Sequence, residues 1–159
     1  MLSRFEKFIC GITEIDLYWH RLASGEMKRY GLKGNYAIYF TKLYGSPGGI
    51  TSAQLAAVCG KDKADVSRDI AALEQSGLVK RVCSSGSAYR AKIVLTEQGK
   101  QLTEKVVRKA ELAVNCIGHD LKEEERQCFY RVLDAIITNM RELSETGLPD
   151  DENDIPEQS

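Results

Sequence analysis

Apolar positions open the chain at helical spacing. Phe5, Phe8, Ile12, Ile15, Trp19 and Leu22 follow at steps of 3, 4, 3, 4 and 3, a heptad seam narrower than the stripe a helix turns to an ordinary core. The pattern predicts a long first helix fading near Tyr30–Gly34. A second helix, Tyr36 to Tyr44, is stopped by the turn Gly45-Ser46-Pro47-Gly48-Gly49. Thr51-Ser52-Ala53-Gln54 is a capping-box pattern. It starts a short helix with Leu55, Ala56 and Val58 on its apolar face, broken by Gly60. Asp62 caps the next helix, with Asp65 at the third helical position, where an acid suits the dipole and can bond back. Val66, Ile70 and Leu73 form its buried face, and Gly77 is its C-cap.

Behind these two short helices, a helix-turn-helix pattern, the period changes. Leu78-Val79-Lys80-Arg81-Val82 alternates like a half-buried strand, Ser84-Ser85-Gly86-Ser87 reads as a turn, and Ala91-Lys92-Ile93-Val94-Leu95 as the returning strand. Thr96 caps a long helix with Leu102, Val106, Ala110, Ala113, Val114 and Ile117 as its apolar residues, ending at Gly118. A final helix from about Leu121 carries Phe129, Leu133, Ile136, Met140 and Leu143 at steps of 4, 3, 4 and 3, a second heptad seam. Two narrow seams at opposite ends of one chain suit a helical homodimer interface better than an intramolecular bundle.

Charge sharpens this picture. The 159 residues carry a net charge of −1, but six acids and no base lie between Glu145 and Ser159; the remaining chain holds 22 bases and 17 acids. Thr51 to Leu95 alone holds seven bases and four acids. The basic excess therefore falls on the helix-turn-helix and the hairpin, and the acidic end reads as a disordered, solubilising tail. Five scattered cysteines without a CxxC pair fit a reducing compartment rather than a disulfide framework. No run approaches a membrane span, and MLSRFEKFICG lacks the apolar stretch of a signal peptide. A soluble, cytoplasmic protein without a membrane partner is expected.

The stretches Ile50-Thr51-Ser52-Ala53-Gln54-Leu55-Ala56, Asp62-Lys63-Ala64-Asp65-Val66-Ser67-Arg68 and Leu73-Glu74-Gln75-Ser76-Gly77-Leu78-Val79-Lys80-Arg81 resemble the MarR family. Arg90-Ala91-Lys92-Ile93-Val94-Leu95-Thr96-Glu97-Gln98-Gly99-Lys100 is similar to that family's passage out of its wing. The resemblance covers roughly residues 3 to 144. It implies a mainly α fold with a small β-hairpin: a winged helix-turn-helix with long N- and C-terminal dimerisation helices. The expected segments are a dimerisation helix (1–33), a winged helix-turn-helix core (34–96), C-terminal dimerisation helices (97–144) and the acidic tail (145–159). The function implied is that of a sequence-specific DNA-binding transcriptional regulator. It would be a ligand-responsive repressor working as a homodimer on a pseudo-palindromic operator. The competing reading is a winged-helix protein-interaction module without an operator.

On this resemblance Lys63, Ala64, Asp65, Ser67 and Arg68 occupy the exposed face of a recognition helix in the major groove of double-stranded DNA. Arg81 and Arg90 bracket the wing. Many relatives have an Asp-x-Arg turn at the wing tip; this chain has Gly86-Ser87-Ala88-Tyr89-Arg90, so either Arg90 or Tyr89 stands where the minor-groove arginine would be. Arg68 suits bidentate reading of guanine or a phosphate clamp. Asp65 suits a cytosine amino group or helix capping. Lys61, Lys63, Arg81 and Lys92 read as phosphate contacts. Thr51, Ser52 and Gln54 sit at a helix N-terminus, where capping and phosphate binding are compatible.

Ligand chemistry is thinner. Tyr18, Trp19, Tyr36 and Tyr39 are either core or the lining of a pocket for a small aromatic or lipophilic ligand, as in relatives. Cys10 lies where hydroperoxide-sensing relatives hold a reactive thiolate, although most buried cysteines are inert. Cys116-x-x-His119 near Cys128 lacks the second tight pair of a metal site. No catalytic constellation appears, and no enzyme activity, cofactor or metal is expected.

Overall fold

The computed structural model describes residues 3–83 and 91–148. Its elements are α1 (Arg4–Lys28), α2 (Tyr36–Tyr44), β1 (Ile50–Thr51), α3 (Ser52–Cys59), α4 (Lys63–Gln75), β2 (Val79–Val82), β3 (Lys92–Leu95), α5 (Glu97–Ile117) and α6 (Glu123–Thr146). The chain divides into two compact units, Met1–Ala113 and Val114–Ser159.

Local chemistry sets most element ends. Ser3 caps α1 by accepting from the Glu6 N–H at 3.1 Å while the Glu6 carboxylate takes the Ser3 N–H at 2.8 Å. The Asp62 carboxylate accepts from the N–H groups of Ala64 and Asp65 at the start of α4. At the other end of α4, Gly77 adopts φ +70°. The N–H groups of Leu78 and Gly77 donate to the carbonyls of Leu73 and Glu74, the pairing of a Schellman motif. The helix cap itself is Ser76, one residue before the glycine the sequence suggests.

The first unit has one core. Met27 from the end of α1 joins Tyr36, Tyr39, Phe40 and Leu43 of α2, Leu55 of α3, Val66, Ile70 and Leu73 of α4, and Val79, Ile93 and Leu95 of the sheet. The predicted hairpin strands are present, and a third strand joins them. Ile50 pairs with Ile93 and Thr51 with Lys92, giving an antiparallel sheet in the order β1-β3-β2. Two residues carry too little periodicity to announce a strand, so this element is absent from the sequence reading. The hairpin turn predicted at Ser84–Ser87 lies outside the described residues.

At the start of α5, Thr96 Oγ1 accepts from the Gly99 N–H at 3.0 Å and donates to the Gly77 carbonyl at 2.6 Å. One side chain thus caps α5 and ties it to the end of α4. Gly99 is buried so closely against β2's approach that a Cβ would collide with the Leu78 carbonyl.

In the second unit the Arg126 guanidinium donates to the Gly118 carbonyl at 2.9 Å, and Glu125 bonds back to the Lys122 N–H at 2.8 Å to begin α6. α6 continues through Glu145 and Thr146, two residues into the stretch expected to be tail; residues 149–159 lie outside the described residues. No helix among the described residues is long and apolar enough to cross a membrane.

Candidate nucleic-acid interface

The helix pair α3–α4 has its two N-termini at Thr51 and Asp62 and carries Lys61, Lys63 and Arg68 on exposed positions. α3 starts at Thr51, whose hydroxyl accepts from the Gln54 N–H at 3.2 Å while Gln54 Oε1 accepts from the Thr51 N–H at 2.9 Å. Those side chains are therefore engaged in capping. Ser52, beside them, is half-buried. The Thr51–Lys92 register pair sets Lys92, exposed on β3, next to the N-terminus of α3. That proximity joins two candidate phosphate contacts some forty positions apart.

α3 ends at Gly60, in the left-handed region at φ +59°, and the Lys61 N–H donates back to the Ala56 carbonyl. This turn delivers Lys61 to the entrance of α4. Along α4 the buried residues are Val66, Asp69, Ile70 and Leu73, whereas Lys63, Ala64, Asp65, Ser67 and Arg68 are exposed. The five candidate reading residues thus share the open side of the helix. Asp65 does not bond back to the cap, because its carboxylate is paired with the Arg68 guanidinium one turn on. A surface pair of this kind contributes only about 0–1 kcal/mol, so releasing Arg68 toward a base edge costs little.

Arg81, read as a phosphate contact, sits differently. Its Nε lies 3.3 Å from Glu74 Oε2, and its N–H donates to Glu74 Oε1. The side chain joins β2 to the end of α4, and the Glu74 charge offsets its own. Tyr89 and Arg90, the two candidates at the wing tip, lie outside the described residues.

The sequence reading missed Asp69. Only 7% of this residue is exposed, and it accepts four hydrogen bonds. Oδ1 takes Lys33 Nζ at 3.0 Å and the Tyr36 hydroxyl at 3.2 Å; Oδ2 takes Asn35 Nδ2 at 2.9 Å and the Tyr39 hydroxyl at 3.2 Å. Burial pushes its carboxyl pKa up, but the Lys33 ammonium and the Asn35 and Tyr39 donors outweigh that and leave it below the ordinary value. Lys33 is raised, chiefly by its hydrogen bond to Asp69. Tyr39 is raised strongly, first by burial and then by the Asp69 charge. A signal existed: Asp69 falls three residues after Val66 and four before Leu73, an acid on the apolar stripe. Beside it opens a polar cleft of about 310 Å³ lined by Lys33, Asn35, Lys61, Asp65, Arg68 and Asp69.

The four aromatics proposed as a pocket lining fall in two environments. Tyr36 and Tyr39 are core residues, their rings stacked at 6.0 Å and their hydroxyls bound to Asp69. Tyr18 and Trp19 are exposed on α1, with Arg21 lying over the Tyr18 ring. Cys10 is exposed on α1 rather than buried. The Tyr30 hydroxyl donates to the Glu26 carboxylate at 3.1 Å. His119 packs locally, its Nδ1 3.0 Å from the Cys116 carbonyl and its Nε2 2.9 Å from Asp120.

Helices α2, α3 and α4, packed with the three-stranded antiparallel sheet β1-β3-β2, have the arrangement of a winged helix-turn-helix protein. Residues 30–88 match the model of the MarR family. No curated protein matches at the sequence level. Among solved structures, the chain is similar over 89% of its length to 94% of a MarR transcriptional regulator from Methanosarcina mazei Go1 (20% identity, TM-score 0.79). It is similar over 87% of its length to 99% of Staphylococcus aureus MepR in complex with DNA (19% identity, TM-score 0.72). A MarR-family transcriptional regulator from Silicibacter pomeroyi aligns over 80% of this chain and 86% of its own (19% identity, TM-score 0.71).

Proposed function

We propose that this protein is a transcriptional regulator that reads duplex DNA with α4. The observation that carries the proposal is the solvent-facing set Lys63, Ala64, Asp65, Ser67 and Arg68, capped by Asp62 and flanked by Lys61. A helix N-terminus bearing short and cationic side chains is what the major groove admits. The Staphylococcus aureus relative, whose structure holds DNA, supports the same use of the fold. Lys92 and the N-terminus of α3 supply phosphate contacts, which set affinity and salt dependence rather than sequence.

The active form in this proposal is a homodimer. Phe5, Phe8, Ile12, Ile15, Trp19 and Leu22 all stand exposed on α1, Phe5 to 71% and Ile15 to 66%. A contiguous apolar stripe of this kind marks an interaction surface. On α6, Phe129, Met140 and Leu143 are exposed and Leu133 and Ile136 half-buried. A two-fold pair would set two copies of α4 against half-sites about 34–36 Å apart. Promoter occlusion is the regulatory outcome proposed. Release would follow when a small aromatic or lipophilic ligand changes the spacing of the two copies.

The test is electrophoretic shift of the protein's own upstream DNA under excess nonspecific competitor, across a salt series. A discrete band that survives competitor is expected, and Arg68→Ala should abolish its preference for that DNA. If competitor removes the band and a random DNA pool yields no preferred sequence, the regulator reading fails in favour of a protein-interaction module.

A further inference from the structure

The donors around Asp69 all come from outside the helix that carries it. Lys33 and Asn35 lie in the connection between α1 and α2, and Tyr36 and Tyr39 in α2. An ionised carboxylate has about four acceptor sites, and here all four are filled. Asp69 is also the immediate neighbour of Arg68. The anchoring point of α4 and its outward-facing cation are thus consecutive residues on adjoining sides of one helix.

An apolar residue would fill this position at lower desolvation cost, since Val66, Ile70 and Leu73 already line the buried face. Apolar packing, however, tolerates small slides and rotations. Four directional bonds to one carboxylate do not, because each fixes a distance and an angle. Contacts to base edges need that definition, since a recognition group works only when held within about 0.5 Å and 10–20° of its productive geometry.

We infer that Asp69 is a positioning residue for DNA reading: it sets the rotation and depth of α4 against α2, so that Arg68 and its neighbours meet the base edges in register. This inference rests on the regulator reading above. It assigns Lys33, Asn35, Tyr36 and Tyr39 to the same device. It also links the reading helix to the end of α1, the helix that carries the exposed apolar stripe.

The experiment separates positioning from stability. The wild-type protein first selects a preferred duplex from a random pool; that duplex and a scrambled one of equal composition are the probes. Affinity for both is measured by fluorescence anisotropy at several salt concentrations. The variants are Asp69→Asn, Asn35→Ala, and the apolar replacement Tyr36→Phe, Tyr39→Phe, Asp69→Leu, which leaves none of those three side chains with an unmet hydrogen-bonding group. Circular dichroism and thermal melting establish which variants are folded.

Folded variants are expected to bind the scrambled duplex as wild type does, with the same salt slope, while affinity for the preferred duplex falls about tenfold or more. A purely structural role would lower the melting temperature and leave that ratio unchanged in the folded protein. If Asp69→Asn fails to fold, Asn35→Ala and the apolar replacement give the same reading. Wild-type discrimination between duplexes in any folded variant of Asp69 overturns the inference alone. Failure of the wild-type protein to select any sequence overturns the inference and the regulator reading together.

Discussion

The hydroxyl of Tyr39 donates to Oδ2 of Asp69 at 3.2 Å, across 30 positions of sequence. This bond and the matching one from Tyr36 place a charge between α2 and α4, beside the apolar core that the two helices share. Neither partner would be stable alone at that depth. The carboxylate needs donors to offset desolvation, and the two hydroxyls need an acceptor to be buried.

Stability should therefore fall in acid through Asp69. Its folded carboxyl pKa lies below the unfolded value of about 3.9, so the ionised form is favoured by folding. The contribution is fully present above the unfolded pKa and is lost as pH falls through the folded one. Thermal melting between pH 7 and pH 3 should show a steeper decline for wild type than for Asp69→Asn. Parallel declines would refute the assignment.

Tyr39→Phe removes one hydrogen bond to a charged acceptor and little volume. A loss of about 1.5–3 kcal/mol is expected from the usual value of such bonds, read as a lower urea midpoint at unchanged slope. An unchanged midpoint would mean that Asn35 alone satisfies Oδ2.

Gly99→Ala should destabilise the first unit, because the added methyl meets backbone, the Leu78 carbonyl, rather than a side chain that can move aside. Overpacking of this kind costs about 1–3 kcal/mol. The melting temperature tests it, and a wild-type value would show that the start of α5 shifts freely.

Capping and phosphate binding at α3 separate by mutation. Thr51→Ala breaks the capping box and should cost roughly 1 kcal/mol of stability. Ser52→Ala should stay within about 0.5 kcal/mol of wild type in stability yet weaken DNA binding equally for all sequences. A large stability loss in Ser52→Ala would assign the hydroxyl to structure instead.

The apolar stripe of α1 has a direct readout. Ile12→Glu with Ile15→Glu alters two residues exposed in the single chain, so the winged helix should keep its fold. Sedimentation should then show a dimer converted to monomer. A wild-type protein that is monomeric at micromolar concentration would remove the dimer proposal.

Periodicity and caps determined much of this molecule on their own, because both act within one or two helical turns. The heptad steps from Phe5 to Leu22, the Thr51–Gln54 box, the Asp62 cap and the glycine after α4 made the helices legible, along with the outward face of α4 that bears Arg68. Tertiary structure decided what depends on partners distant in sequence. Ile50 and Thr51 become a strand only because β3 returns beside them. Arg81 faces Glu74 because β2 folds back along α4. Tyr36 and Tyr39 are core while Tyr18 and Trp19 face solvent, a division that aromatic spacing does not encode. Asp69 looks like a misplaced acid on an apolar stripe until chain packing supplies four donors, for a buried charge is stabilised only by groups that the fold brings to it.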